Sequence, residues 1–322
     1  MRRAVCVQLA DAAPHLAWLG HAVVAGCVDG SVMLMDQGES AMLAIGESPV
    51  SALLSHRDSI VAGFFGGDVQ VVRLGTARSL AHGQAVPRSL ITCSAGVAWV
   101  AAGSVEIRRP DGAGASVDAR IGDLRCLSRV QGGLLIAAGV GGAAWIDATI
   151  ELVDEPLEAP TLISIAVDPL RRFVAGGDLA GSIHVIRVGD TSGNELSGYP
   201  DRVHLLGWLV SGRGLCASAD DQLTVWAATD DGIGGSDPQL LVAHDAPITA
   251  LAPHPLVDVV VTGDSVGTVQ MWAPALVDEP VASVHIEGAV LAVSWHPGGR
   301  RVAVAGSDGT ITVFQVCRGP AS

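Results

Sequence analysis

The chain has 322 residues, nearly half of them apolar, with 40 glycines and a formal charge of −14. That acidity argues against a general nucleic-acid binder, which needs clustered cations to neutralise phosphates, and no run of 18 apolar residues is present to cross a membrane. The apolar mass is Val, Ala, Leu and Ile punctuated by Gly, a mixture that favours many short buried strands joined by tight turns over a helical bundle.

In chain order, the first candidate element is an alternating run, Ala4 to Leu9. Met1-Arg2-Arg3 together with Val24-Ala25-Gly26-Cys27 imitates a lipoprotein leader, but Gln8, Asp11, Pro14, His15 and His21 interrupt the apolar region such a leader requires. From there on, one hairpin recurs. AVVAGCVDGSVMLMD (22–36), SIVAGFFGGDVQVVR (59–73), AWVAAGSVEIRR (98–109) and LLIAAGVGGAAWID (134–147) form the first half of the series. RFVAGGDLAGSIHVIR (172–187), GLCASADDQLTVWA (214–227), VVVTGDSVGTVQMWA (259–273) and RVAVAGSDGTITVFQ (301–315) form the second. Each is two period-two strands around a turn that tolerates left-handed dihedrals.

The anchors Gly26, Gly63, Gly103, Gly139, Gly176, Ser218, Gly263 and Gly306 are spaced by 37, 40, 36, 37, 42, 45 and 43 residues. A period near 40 with a strand–turn–strand centre is that of propeller blades. An earlier strand precedes each hairpin (Val50–Leu54, Leu162–Ala166, Ile248–Leu251, Val290–Val293) and a fourth follows (Ala41–Ile45, Val281–His285). The eighth unit ends after its third strand, and residues 4–9 precede the first unit unpaired. Pairing the two closes an all-β, eight-bladed β-propeller of four-stranded antiparallel blades across residues 1–322, a single domain without exposed sheet edges. Seven blades, the alternative, would need a mean period of about 46 and the loss of unit three.

These residues resemble the WD40-repeat family. Ala243-His244-Asp245 is similar to the Gly-His that opens a blade. His254-Pro255, Trp295-His296-Pro297-Gly298-Gly299 and Asp168-Pro169 are similar to its first-to-second-strand turn, while Trp226, Trp272 and Phe314 fall at the motif Trp and Met35-Asp36 replaces Trp-Asp. The repeats are degenerate: Val72, Arg108 and Ile186 stand at the Trp position of middle blades, and Val266 stands where a turn Asp would complete the family's His–Ser/Thr–Asp–Trp tetrad. On this reading the tetrads are largely absent and apolar stacking between blades carries stability.

Chemistry-bearing motifs are weak. Gly139-Val140-Gly141-Gly142-Ala143-Ala144 fits a dinucleotide fingerprint, yet Trp145-Ile146-Asp147 continues as a strand where that motif needs a helix. Ten histidines raise a metal-handling alternative through channel histidines, although no HxH or HExxH spacing is present. The six cysteines (6, 27, 93, 126, 216, 317) form no CxxC pair and fit a reduced, cytoplasmic setting. There is no GxSxG. The interruptions 189–200 and 227–238 read as solvated loops between third and fourth strands, and Asp220, Asp221, Asp230, Asp231, Asp237 and Asp245 as an acidic rim.

The resulting expectation is a non-catalytic, cytoplasmic, bacterial scaffold that binds a protein or peptide, with no cofactor, no nucleic acid and no membrane, a small-ligand-binding or enzymatic propeller being a further alternative. The residues for contact are Phe64 and Phe65 in the turn AGFFGG, where aromatic residues are out of place. With them stand the cations expected around one channel mouth: His15, Arg57, Arg88, Arg125, Arg202 and His204.

Overall fold

The computed structural model describes residues 1–316 except 110, 111, 131, 191, 192, 236 and 243. Eight antiparallel sheets of four strands each account for all of its regular structure, with no helix among the described residues. In blades 1 to 7 the strands follow one another in order. Blade 8 is built from Val290–Trp295, Arg301–Gly306 and Thr310–Gln315, and its outer strand is Arg2–Gln8, paired with Thr310–Gln315 from Arg2 opposite Gln315 to Gln8 opposite Thr310. The first strands touch in sequence around the ring, and that of blade 8 touches that of blade 1 (His15–Leu19). Eight blades and the closure by the N-terminal strand are therefore as the repeat arithmetic implies.

Each of the eight seams between blades holds one apolar cluster. The richest, between blades 8 and 1 and between blades 5 and 6, each contain twelve buried residues. Among the described residues the seam between blades 2 and 3 contains six: Ala52, Val61, Val69, Leu90, Val97 and Trp99. Both faces of a blade are covered by neighbours, so its second strand is buried along its whole length, as in Ala22–Gly26 and Gly214–Ala219. Tryptophans also tie seams together. Trp18, Trp208 and Trp295 lie at or one residue before the ends of the first strands of blades 1, 6 and 8, and each donates its indole N–H to a first-strand carbonyl of the preceding blade: Ser294, Ala166 and Ala252.

One segment differs from the sequence reading. Gly193–Ser197 is the fourth strand of blade 5 rather than part of a loop before it, because Ile183 to Ile186 offer a free edge opposite. The antiparallel meander gives the ring two faces. The upper face carries the loops leading into first strands and the turns between second and third strands. The lower face carries the turns between first and second strands and between third and fourth strands.

Candidate protein-interaction site

The upper rim is built from the starts of the first strands, most of which bulge near their first pair. In blades 2 and 7 the bulge holds Ser51 and Thr249, whose hydroxyls donate to the first strand or its lead-in on the next blade, at Pro87 and Val290. In blade 4 the same place holds Arg125, exposed and without an ion-pair partner among the described residues. Arg88 begins the first strand of blade 3 and reaches blade 4, donating to Asp123 at 3.0 Å and to the Leu124 carbonyl at 3.3 Å. Both guanidinium groups act on the Cys126 thiol, but burial dominates and pushes it up to about 12. Arg88 and Arg125 thus form one cationic cluster, with Arg88 held by a carboxylate.

Phe65 lies on the same face in the turn of blade 2, 53% exposed, its backbone N–H donating to Pro49. Phe64 does not share that face. It is 1% exposed in the seam between blades 1 and 2, where Gly46 leaves room for its ring. Successive strand residues point to opposite sides, so only one of the pair can be an external anchor. Arg202 and His204 are exposed in the loop entering blade 6, and Arg202 has no ion-pair partner among the described residues. His15 is largely buried, and that burial lowers its pKa against a hydrogen bond to the Val50 backbone that raises it. Arg57 stands on the lower face, in the turn between His56 and Ser59, and cannot belong to the upper cluster.

The histidines that motivated a metal reading are occupied elsewhere. His184 bonds Asp178 at 2.8 Å, and His254 bonds the Gly299 carbonyl at 2.8 Å while packing edge-on against Trp295. No group of three His, Cys, Asp or Glu side chains among the described residues converges as a metal site would. The dinucleotide-like stretch is a hairpin, Leu135–Gly139 paired with Gly142–Ile146.

The tetrad expectation needs correction. In blade 7, His244 Nδ1 lies 2.8 Å from Asp264 Oδ2, His244 Nε2 lies 2.7 Å from Thr262 Oγ1, and Trp272 Nε1 donates to Thr262 Oγ1 at 2.8 Å. The turn aspartate is Asp264, two residues before Val266, and its other oxygen caps the turn by accepting from the Val266 and Thr268 backbone. The network is complete and fully buried. Blade 6 builds a variant in which Trp226 donates to the Tyr199 hydroxyl at 2.7 Å, which bonds Thr224 in turn. The Ala243 that precedes His244 lies outside the described residues.

A family model for the WD domain, G-beta repeat, matches residues 279–315, the segment that leads into blade 8 and supplies its first three strands. The chain is an eight-bladed β-propeller whose last blade matches a WD40 repeat. No curated protein sequence matches it. Among solved structures this propeller is similar to the Dos1 propeller, at 14% identity and a TM-score of 0.81 over 98% of this chain and 94% of that one. It is also similar to the computationally designed Ika8 protein (21% identity, TM-score 0.78, 98% and 100% covered) and to the WD40 beta propeller domain of Doa1 (13%, 0.65, 96% and 94%). At these identities the likeness is one of fold.

Proposed function

We propose that this WD40 propeller is a non-catalytic scaffold that holds a protein or peptide partner on its upper face. The observation that carries the reading is one exposed aromatic side chain, Phe65, on the same rim as Arg125 and Arg202, two cations without carboxylate partners among the described residues. An aromatic anchor beside unneutralised guanidinium groups is the composition of a binding hot spot. A rim fixed by eight stacked blades loses little conformational freedom on binding, and acidic groups of the partner would pair with the arginines. The free thiols of the described cysteines support a reducing, cytoplasmic setting.

The test is affinity capture from the source cell with the wild type beside a Phe65→Ala, Arg125→Ala, Arg202→Ala triple variant, whose folding is checked by circular dichroism. A partner identified with the wild type and lost from the folded variant supports the scaffold and its face. An unchanged set of partners removes this face from the interaction.

A further inference from the structure

The chain contains no lysine, so all 19 of its basic residues are arginines, and five of them gather on the lower face. A groove of about 400 Å³ opens there between blades 2 and 3, within the usual range of ligand sites. Its floor is Val61, Val71, Leu80 and Val97, and its walls carry Arg57, Arg73, Arg78, Arg108 and Arg109. We infer that this groove binds a short acidic peptide segment with interspersed aliphatic side chains, a site separate from the upper face.

Three observations support it. The seam between these blades is the least filled of the eight, with six buried apolar residues where the other seams have eight or more among the described residues. Thr92 in blade 3 is paired with Val97 just as Trp18 is with Val23 and Trp295 with Val302, so this seam lacks the tryptophan wedge found in three of the other seams.

The second observation is charge. Arg73 pairs with Asp58 at 3.2 Å and Arg108 with Glu106 at 3.3 Å. Arg57, Arg78 and Arg109 are exposed and have no carboxylate partner among the described residues, leaving the groove cationic in a strongly acidic protein. The Arg108 guanidinium is also held in place. It lies where a side chain at Gly114 would stand, donates to the Ile107 carbonyl at 3.0 Å, and sits over the Trp99 ring.

The third is backbone strain. Arg57 has φ +56°, a left-handed conformation in which a side chain is disfavoured. The matching turn of blade 1 uses Gly20, at φ +58°. Blade 2 therefore keeps a strained arginine over the groove where glycine would fold without cost, a pattern found at ligand-holding positions.

The arrangement favours an extended segment over a single small anion. The arginines run from the turn after the first strand of blade 2 to its fourth strand, about 12 Å at roughly 4.8 Å per strand. An extended chain covers that with about four residues. Carboxylates along it would meet successive guanidinium forks, and aliphatic side chains between them would cover the valine floor.

The probe is a fluorescein-labelled peptide, EDLELDE, beside its uncharged counterpart QNLQLNQ. The proposal expects EDLELDE to bind with an affinity that falls as salt is raised, and QNLQLNQ at least tenfold more weakly. It further expects an Arg57→Gly, Arg78→Gln variant to lose EDLELDE tenfold or more while its melting temperature is held or raised by the relieved turn. The upper-face triple variant should bind it as wild type does. Equal binding of both peptides, retention by the groove variant, loss through the upper-face variant instead, or no binding by the folded wild type would each overturn the assignment. Full displacement by equimolar inorganic phosphate would overturn the peptide in favour of a small anion.

Discussion

The blade 7 network allows a sharp test of how this ring is held. A carboxylate only accepts, so Asp264 requires the proton on His244 Nδ1, and Nε2 is then an acceptor. An indole only donates, so Trp272 directs its N–H at the Thr262 hydroxyl, which passes its own proton to His244 Nε2. Thr262→Val keeps the shape and removes the hydroxyl, leaving an indole N–H and an imidazole nitrogen without partners. Thr262 and Trp272 have no exposed surface, and the His244 side chain none either. An unsatisfied buried group costs about 1–3 kcal/mol, so the pair together costs about 2–6 kcal/mol. In blade 6, Thr224→Val leaves Trp226 still donating to Tyr199, and the loss is about 1 kcal/mol. Blades touch only their neighbours, so the effect is local and hydrogen exchange reads it directly. Amides of Ile248 to Ala252 and of Val260–Asp264 should exchange roughly 30-fold or more faster in Thr262→Val, against about fivefold for the blade 6 amides in Thr224→Val. Equal changes for the two variants, or less than threefold in blade 7, would refute the argument that the hydroxyl is the hub.

Removing residues 2–8 takes the outer strand from blade 8 and exposes the edge of Thr310–Gln315. The truncated chain should melt at lower temperature and self-associate in light scattering, since an open edge pairs with other chains. For pH, burial alone would raise the Asp264 carboxyl, but His244 and the turn amides outweigh it and hold the pKa below its usual value, as His184 and the Ser182 amide do for Asp178. With folded values below the unfolded ones, their contribution is complete above about pH 4 and is lost as pH falls through the folded values. Melting temperatures should therefore drop below about pH 4, and Asp264→Asn should be less stable at pH 7 with a shallower acid decline. Burial also pushes the Cys126 and Cys216 thiols up to about 12, whereas Cys6 is exposed. A thiol reagent at pH 8 should label Cys6 in the folded protein, and Cys126 and Cys216 only after denaturant, as mapped by mass spectrometry.

Arg57, Arg78 and Arg109 are scattered singly along the chain, and nothing in their spacing marks a site. They meet because blades 2 and 3 are adjacent and their seam is the least filled of the eight. Phe64 and Phe65 show the same division more finely. Their presence in a turn was a visible anomaly, but which ring turned inward depended on where the strand ended and on the space beside Gly46 in the neighbouring blade. Asp264 is not legible in the sequence as the tetrad member, because the spacing within a degenerate turn does not specify which residue faces the histidine.

What the sequence by itself determined was the architecture. Period-two apolar runs specify strands, their recurrence every 40 or so residues specifies eight units, and an unpaired first strand matched to an incomplete last unit specifies closure. These are local or periodic properties, so one chain read end to end contains them. Only the tertiary structure decided which side chains are buried, which share a face and which seam stays open, because those depend on the volume and charge contributed by the blade next door.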